Sequence, residues 1–436
     1  MTSAWDVASR HPDGIYHDRG KYSDGDDKGG ARAMADGRER ITIGFSAHAR
    51  PRVVDRGADN TRGRLFAEIL TAGPLSRTQL SQRSGLSQST VTKVVNPLID
   101  AGFVTETGEQ SGAIGRPQRL LAVAADRRAA IGVKIGPGAV TGVLTDLRAQ
   151  VLGRRTRPLT AGHDPSAALS AAAAVVWDLL AGHPEAREKL IGVGVGLGGH
   201  VEPDSGRVVR SGVLGWSGVE VGAPLAAATG VPTVVGNDVD ALAVAERWFG
   251  AGREANGFAL VTVGPGVGCG LFIGDELITG AAGLAGELGH IPMQVNGVLC
   301  TCGNHGCLET LASDDAVLRQ ITENGGPSHS TIEDAVKAAR AGDAVAVAAF
   351  ESMGDVLGRA LATLCNLINP DRIVLAGERA SAFDLFGDAC TSAWRAHSFS
   401  TAATDCELIV DETDDGLWAR GAACLVIRDA VGADQA

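Results

Sequence analysis

GELGHIPMQVNGVLCTCGNHGCLE, residues 286–309, is the stretch that decides how this 436-residue chain folds. It holds one histidine and three cysteines at a spacing typical of metal ligands, namely His290, Cys300, Cys302 and Cys307. Three thiolates and one imidazole form a closed tetrahedral zinc site with no position left open for a substrate. The pattern therefore predicts a structural Zn²⁺ ion. His305 is a competing ligand, and the alternative to a metal site is a chance cluster of cysteines in a reducing compartment.

Two carboxylates flank the predicted metal ligands. Glu287 lies three residues before His290, and Glu309 lies two residues after Cys307. A zinc ion would hold both carboxylates and the imidazole in a small volume, which supplies the rigid acceptors and donors that sugar hydroxyls need. Either glutamate taken alone would be interpreted as a solvated surface side chain.

A further polar pair, Asn237-Asp238, follows a predicted buried strand at Val231–Val235. At the mouth of a cleft, Asp238 could accept a proton from a sugar hydroxyl or hydrogen-bond to it. The alternative role is the N-cap of a helix that is expected to begin near Asp240.

From Asp126 to the C-terminus the chain alternates predicted strands with predicted helices. Within it, Ile135–Gly138 and Val263–Gly266 read IGPG and VGPG, and each separates the two strands of a predicted hairpin. Two copies of one strand–turn–strand unit suggest a duplicated α/β body with a cleft between two lobes. Chance similarity is the alternative, because glycine and proline are common turn residues.

Residues 60–125 show the pattern of a winged helix-turn-helix domain. A helical repeat of apolar residues comes first, Ser76 then opens a short helix with a capping box, and Ser87 caps a third helix. A predicted hairpin follows, which completes the arrangement. Pro97 is expected to kink the third helix or end its regular part.

The third helix of this domain is the candidate reader of DNA. The side chains that it is expected to present to the major groove are Gln88, Ser89, Thr92 and Lys93. Each of these residues taken alone is more often plain surface, so the prediction depends on the whole domain.

Composition and charge agree with a DNA-binding domain attached to an acidic body. The net charge is −12, whereas residues 60–120 carry seven basic and four acidic side chains. Residues 1–59 are rich in Gly, Asp and Arg and are expected to form a disordered tail. The first residues resemble no signal peptide, and the longest apolar run, Ala171–Leu180, is short and contains Asp178. We therefore expect a cytoplasmic protein without a membrane span.

The segments GNDVDALAVAERWFG, GPGVGCG, GELGHI and CTCGNHGCLE together resemble the ROK family of repressors, open reading frames and sugar kinases. The resemblance covers residues 64–429 and implies an actin-like, sugar-kinase-like α/β body of two lobes (residues 126–436) behind the winged helix-turn-helix. It also implies that five residues hold a sugar: Asn237, Asp238, Glu287, His290 and Glu309. In kinase members the residue matching Asp238 is the catalytic base, and the histidine matching His290 serves both zinc and sugar.

The chain departs from the kinases of this family at three places. Kinase members resemble D-x-G-G-T at the first phosphate loop, where residues 134–138 here read KIGPG. The second loop, usually Gly-Thr-Gly, is Gly264-Pro265-Gly266, so a backbone N–H and a hydroxyl for phosphate are lost. The glycine pair that borders adenosine is Gly377-Glu378. This pattern resembles the family's repressors, which sense a sugar without phosphorylating it.

In the wing, Gly115-Arg116-Pro117 resembles the Gly-Arg-Pro core that repressors of the family insert into the minor groove. The resemblance favours a sugar-responsive repressor that binds a double-stranded operator as a homodimer or homotetramer, with a sugar or sugar phosphate as effector. The alternatives are an active ATP-dependent sugar kinase with a DNA-binding domain, in which Lys134 contacts phosphate, and a DNA-binding protein whose body binds no ligand.

Overall fold

The computed structural model describes residues 56–110, 118–159, 164–253, 255–329, 331–411 and 415–432. The predicted tail therefore lies almost wholly outside the described residues, and only its last residues, from Arg56, are seen to be helical. Arg116 and its neighbours in the wing also lie outside the described residues.

The first part of the fold is a three-helix unit with a small antiparallel sheet, in the strand order β1-β3-β2. Its elements are α1 (Arg56–Ala72), β1 (Leu75–Ser76), α2 (Arg77–Ser84), α3 (Gln88–Asp100), β2 (Val104–Gln110) and β3 (Gln118–Val123).

Local sequence signals set the boundaries of these helices. Ser76 and Gln79 form the predicted capping box at the start of α2, and Ser87 accepts a hydrogen bond from the backbone of Thr90 at the start of α3. The expectation that Pro97 might end α3 is wrong, since the helix continues to Asp100. Leu98 is buried just beyond the proline, and packing of this side chain outweighs the one lost backbone bond.

The first lobe of the body follows. Its elements are β4 (Ala129–Ile135), β5 (Ala139–Asp146), β6 (Val151–Pro158), α4 (Pro165–Gly182), β7 (Leu190–Leu197), β8 (His200–Val201), β9 (Arg207–Ser211), β10 (Trp216–Glu220), α5 (Gly222–Thr229), β11 (Thr233–Asn237) and α6 (Asp238–Phe249).

The second lobe is built around another sheet. Its elements are β12 (Gly257–Val263), β13 (Val267–Ile273), β14 (Glu276–Leu277), α7 (Glu309–Ala312), α8 (Asp314–Glu323), α9 (Ile332–Arg340), α10 (Ala344–Ile368), β15 (Arg372–Ala376), α11 (Phe383–His397), α12 (Ala402–Asp405) and β16 (Glu407–Val410), and α13 (Asp415–Gly432) follows them in the chain. Short 3₁₀ turns occur at Pro184–Lys189, Leu288–His290 and Glu378–Ala382.

The two large sheets have the same topology. One has the strand order β6-β5-β4-β7-β11, and the other β14-β13-β12-β15-β16. In each sheet the central strand pairs antiparallel with the next strand of its hairpin and parallel with the strand on its other side. The IGPG and VGPG turns close the two equivalent hairpins, so they belong to a structural duplication.

The last helix, α13, returns to cover the first sheet. Its backbone lies against Gly132 of β4 and Gly194 of β7, where no side chain larger than hydrogen would fit. The N-terminal helix α1 packs on α13 and on α6. The three-helix unit and the body consequently share one continuous hydrophobic core, in which Leu65 and Phe66 lie with Trp248 and Ile427.

Helix α4 is the one helix in the described part of the chain that is long and apolar enough to cross a membrane. Its residues Val175 and Leu179 instead pack over Gly142 of β5, in the core of the first lobe. This arrangement is that of a core helix.

Candidate functional site

The four predicted metal ligands come together in the structure. The ligand atoms of His290, Cys300, Cys302 and Cys307 all lie within 4.8 Å of one another. The Cys300 sulfur lies 3.5 Å from His290 Nδ1, and the Cys302 and Cys307 sulfurs are 3.6 Å apart. Metal–sulfur bonds of about 2.3 Å in tetrahedral geometry require sulfurs about 3.7 Å apart. The donor set and its spacing therefore fit a zinc ion.

The two histidines of the knuckle, which is the segment His290–Cys307, have different roles. His305 is not part of the ligand cluster, and its Nδ1 instead lies 3.0 Å from the Gly297 carbonyl. His290 directs Nδ1 at the cysteines, and its Nε2 lies 3.8 Å from the Glu287 carboxylate. One ring thus faces the metal ligands with one nitrogen and a candidate ligand-binding carboxylate with the other.

Glycines hold the Glu287–His290 turn flat against β13. A Cβ on Gly286 would collide with the Cys269 carbonyl, and a Cβ on Gly289 would collide with that of Val267. Gly286 also has a φ of +84°, which disfavours any side chain there. The GELGH spacing thus places Glu287 and His290 together at the edge of the second sheet.

Glu309, the first residue of α7, lies beside the same strand. Its Oε2 accepts a hydrogen bond of 3.3 Å from the Val267 N–H. Burial raises the pKa of the Glu309 carboxyl, while the charge of His290 and the Val267 bond oppose the rise. Glu287 raises it further, so Glu287, His290 and Glu309 lie close enough to influence one another.

Asn237 and Asp238 lie where β11 meets α6, and Asn237 is the residue that caps the helix. Asn237 accepts backbone hydrogen bonds from Val239 (2.8 Å) and Asp240 (3.1 Å), so it is the N-cap. The helix begins at Asp238, two residues before the predicted start. The Asn237 amide nitrogen donates to the Gly199 carbonyl at 3.1 Å. These bonds fix the position of the buried Asp238 carboxylate.

The partner of Asp238 is Lys134 of β4. The Lys134 ammonium makes an ion pair with Asp238 Oδ2, and both side chains are largely buried. Lys134 also lies over the ring of Trp418 in α13, 4.6 Å from its centroid. The Asp238 carboxylate is thus engaged by a cation that belongs to the chain itself.

A second carboxylate lies at the same end of the cleft. Trp418 donates its indole N–H to Glu378 at 3.2 Å. The other Glu378 oxygen lies so close to Gly264 that a Cβ on this glycine would collide with it. The Gly264 N–H is itself bonded to the Gly266 carbonyl at 3.0 Å. The turn at Pro265 therefore closes on itself and faces a negative charge.

A further carboxylate, Asp240, lies beside Asp238 in the first turn of α6. Burial, together with the negative charges of Asp238 and Glu287, raises the pKa of Asp240 to about 7, against the opposing charge of Arg428. The start of α6 packs on β13, where Gly268 contacts Val239 and Gly270 lies beside Asp240, and the Glu287–His290 turn packs on the same strand through Gly286 and Gly289. Asp238 and Glu287 are therefore both placed near β13.

A large open cavity lies beyond Glu378, with a volume of about 1270 Å³. It is bordered by six basic and two acidic side chains: Arg148, Arg154, Lys337, Arg340, Arg379, Arg420, Glu333 and Glu378. Several of these cations already have partners. Arg340 binds Asp384 at 2.8 Å, and the buried Arg379 binds Asp314 at 2.8 Å.

The predicted DNA-contacting residues lie on one exposed end of α3. Gln88, Ser89 and Lys93 are exposed, and Thr92 is half-buried. The Thr92 hydroxyl donates to the Gln88 carbonyl at 2.9 Å, and the Gln88 amide lies 3.2 Å from Thr78 of α2. Lys93 is the residue of the four that offers a charge to a phosphate.

The structure adds three contacts that the sequence alone does not predict. Lys134 and Glu378 stand out in the sequence as departures from the kinase pattern, but not as the partners of Asp238 and Trp418. Trp418 carries no signal of its own in the sequence. A cation where a carboxylate is expected, opposite a buried aspartate, is the signal that could have identified the ion pair.

Comparison with known proteins identifies the two parts of the chain. A sequence profile of the ROK family matches residues 130–429, and a profile of winged helix-turn-helix DNA-binding domains matches residues 59–105. The chain belongs to the ROK family. A putative xylose repressor of Caldicellulosiruptor sp. (strain Rt8B.4) is 30% identical to it, over 84% of this chain and 94% of that protein. The DNA-binding transcriptional dual regulator NagC of Escherichia coli (strain K12) is 33% identical, over 78% and 86%.

Solved structures of ROK proteins share the fold. A ROK family transcriptional regulator, described as a homologue of the E. coli MLC protein, superposes with a TM-score of 0.72 at 29% identity and covers 87% of this chain and 97% of its own. A ROK family glucokinase from Streptomyces griseus, in complex with glucose and AMPPNP, superposes with a TM-score of 0.61 at 26% identity, covering 68% and 98%. The regulator thus matches the three-helix unit, which we call the head (residues 56–125), as well as the body, whereas the kinase matches less of the chain.

Proposed function

We propose that this ROK protein is a sugar-responsive transcription regulator that acts as a repressor. One observation carries the proposal: a helix-turn-helix unit shares its core with a cleft in which Asp238, Glu287, His290 and Glu309 converge. The proposed domains are residues 60–125 for DNA binding and residues 126–436 for sugar binding. The relatives named as repressors support the same function.

Sugar recognition in this proposal uses Glu287, His290 and Glu309 at the zinc-side end of the cleft, together with Asp238, which lies between that end and the Lys134–Trp418–Glu378 end. The carboxylates of Asp238, Glu287 and Glu309 accept hydrogen bonds from hydroxyls, and His290 Nε2 donates one. Asn237 acts mainly by fixing the first turn of α6. Asp238 is buried and Glu309 is half-buried, so each bond that these two carboxylates make to a hydroxyl is stronger than in water, whereas Glu287 is exposed.

A structural zinc ion held by His290, Cys300, Cys302 and Cys307 is part of the proposal. Bound zinc supplies charge and fixed geometry and no open coordination position. With His290 Nδ1 on the metal, its Nε2 must carry the proton that faces Glu287 and the sugar. The chemistry of the donor set and its 3.5–3.6 Å spacings support this assignment.

The protein is proposed not to phosphorylate its sugar. Phosphoryl transfer depends on positioned donors and cations around the phosphates and on a base that can reach the hydroxyl. Here Lys134 engages the Asp238 carboxylate, Pro265 has no N–H, and Glu378 places a negative charge at the Gly264 turn. Each of the three features opposes a nucleotide phosphate or the removal of a proton by Asp238.

Sugar kinase activity is the second candidate function. The cationic cavity of about 1270 Å³ favours it, because six basic side chains border a space large enough for a nucleotide. The likeness to the glucokinase in complex with glucose and AMPPNP points the same way. A coupled ADP-release assay with ATP and each sugar that binds separates the two candidates. We expect turnover far below the ~1 s⁻¹ of working kinases, and turnover at or above that rate would establish the kinase.

The proposed partners are a double-stranded operator and a sugar or sugar phosphate, in the cytoplasm. One winged helix reads a half-site, so a homodimer or homotetramer on a palindromic operator is expected. Gln88, Ser89, Thr92 and Lys93 are the proposed contacts in the major groove. Arg116 is the proposed minor-groove contact and lies outside the described residues.

The experiment that tests the proposal measures DNA and sugar binding together. Duplexes are selected from a random library with the purified protein, and the affinity is measured by fluorescence anisotropy with and without xylose, glucose, N-acetylglucosamine and their phosphate esters. We expect one of these sugars to change the DNA affinity at least about fivefold, the lower end for allosteric coupling. No selected duplex, or no effect of any sugar that calorimetry shows to bind, would refute the proposal.

A further inference from the structure

Helix α6 extends from the candidate sugar site to the DNA-binding unit. It begins at Asp238 and ends at Phe249, which is about 18 Å at 1.5 Å per residue. Nine of its twelve residues are buried, and no glycine or proline lies inside it. An α-helix of this kind, packed along its length, moves as one body. A change at Asp238 therefore reaches the other end of the helix as a shift or tilt.

The far end of α6 contacts the head through aromatic rings. The ring of Trp248 lies 6.2 Å from that of Phe66 in α1, at an angle of 66°. Phe66 in turn lies 6.3 Å from Phe103, at 85°. Both are edge-to-face contacts between buried side chains.

The aromatic chain ends at the helix that is proposed to read DNA. The Phe103 N–H donates to the Leu98 carbonyl of α3 at 2.9 Å. Trp248, Phe66 and Phe103 therefore connect the last turn of α6 to the last turn of α3 without a gap. A displacement of Trp248 must be accommodated by these rings, because a close-packed core has no free volume to absorb it.

Polar contacts beside the rings restrict the same junction. Arg247 of α6 binds Asp275, and the Asp275 carboxylate lies 3.9 Å from Arg64 of α1. Just beyond α6, Arg253 donates to the Thr71 carbonyl at the end of α1. The pairs at Asp275 are partly exposed and contribute little energy by themselves, so the buried rings carry most of the coupling.

From this arrangement we infer that Trp248 is a positioning residue that couples the sugar site to DNA affinity: α6 transmits the sugar-bound state of Asp238 to α1 and α3 through the Trp248–Phe66 contact. The inference rests on the proposed function and adds the structural path by which the sugar site influences DNA binding. Trp248 contacts neither sugar nor DNA in this scheme. Its replacement should therefore change the coupling between the two sites and leave each separate affinity near its original value.

The test compares Trp248→Leu with Trp394→Leu. Trp394 is an equally buried indole in α11, where it donates to the Cys365 sulfur at 3.3 Å and lies in the core of the second lobe. For each variant, calorimetry with the sugar that binds the wild type most tightly gives the sugar affinity. Anisotropy with the selected duplex gives the DNA affinity with and without that sugar.

We expect the sugar-induced change in DNA affinity to fall below about twofold in Trp248→Leu and to stay at or above about fivefold in Trp394→Leu. The sugar affinity and the sugar-free DNA affinity of both should lie within about threefold of the wild type. Trp248→Phe, which keeps an aromatic ring on Phe66, should retain most of the change. If Trp248→Leu does not fold, Phe66→Leu tests the same contact from the head.

Retention of the full sugar effect in Trp248→Leu or Phe66→Leu would overturn the route through these rings, and so would an equal loss in Trp394→Leu. Failure of the proposed function is a different result, because the wild-type protein itself would then show no sugar-dependent change in DNA affinity.

Discussion

The two ends of the cleft differ in how their polar groups are satisfied. At the knuckle end, the tightly packed Gly286 and Gly289 hold the Glu287–His290 turn on β13, and Glu287 remains exposed. At the other end, Lys134 and Glu378 make their bonds within the protein. In the proposed function, the knuckle end binds the sugar hydroxyls, whereas at the other end Lys134 and Glu378 pair with side chains of the protein itself.

This difference indicates how a kinase-like body can become a sensor. Sugar binding requires only the end that recognises hydroxyls. Catalysis requires, in addition, phosphates that are held in line with the attacking hydroxyl. In the proposed sensor, Lys134 of β4 pairs with Asp238, the residue that is expected to match the catalytic base of the kinases. The variants below test the division between the two ends, in order of decreasing expected effect.

Removing the metal should have the largest effect. Cys302→Ala leaves three of the four ligands, so we expect loss of bound metal and a fall in sugar affinity of more than about 100-fold, because His290 and Glu287 lose their fixed positions. Elemental analysis and calorimetry measure the two effects. Cys390→Ala, which removes a buried cysteine of α11 that is not part of the cluster, should leave both unchanged. Unaltered sugar affinity in a metal-free Cys302→Ala protein would show that the metal does not position the residues that bind the sugar.

Breaking the ion pair between Lys134 and Asp238 should lower the free energy of unfolding. Lys134→Met leaves the buried Asp238 carboxylate without its partner, which costs about 3 kcal/mol or more of unfolding free energy. Adding Asp238→Asn removes the unpaired charge, so the double variant should recover most of that loss. Urea denaturation of both single variants and the double variant gives the coupling energy. Simple addition of the two single losses would show that the pair is not coupled.

Removing a hydroxyl acceptor at the knuckle end should weaken sugar binding. Glu287→Ala is expected to lower the affinity by about 1.5–3 kcal/mol, the usual value of a hydrogen bond to a charged group. DNA binding without sugar should not change, since α3 is distant in the fold. The matched control is Glu188→Ala, an exposed carboxylate in the first lobe. Equal calorimetric affinities for the two variants would place the sugar elsewhere.

The smallest expected effect concerns the head. Lys93→Ala should weaken binding to every duplex by less than about tenfold and lower the slope of log affinity against log salt by about 1, because one phosphate contact is lost. Arg395→Ala removes an exposed cation of α11 and should leave the slope unchanged. A change of sequence preference in Lys93→Ala would indicate a base contact in place of a phosphate contact.

Local patterns in the sequence predicted most of the fold. Ser76 with Gln79 and the glycines of GELGH act on their immediate neighbours, so the residues themselves predict the caps and turns. The four ligands of the knuckle lie within eighteen residues of one another and could be grouped from spacing alone. The error at Pro97 arose where tertiary packing of Leu98 outweighs a local preference.

Contacts between distant parts of the chain were not predictable in the same way. Lys134 and Asp238 are more than a hundred residues apart, and only the order of strands β4, β7 and β11 brings them together. The contact between Trp248 and Phe66 likewise depends on how α6 and α1 pack on α13. Periodicity identifies that such side chains are buried but not which partner each one meets.

The continuous core also bears on how the protein can be divided. A cut between residues 125 and 126, in the segment between the two profile matches, would leave Trp248, now 5% exposed, without the Phe66 ring that covers it. Both fragments would expose apolar surface and be prone to aggregate. Head and body should accordingly melt in a single cooperative transition.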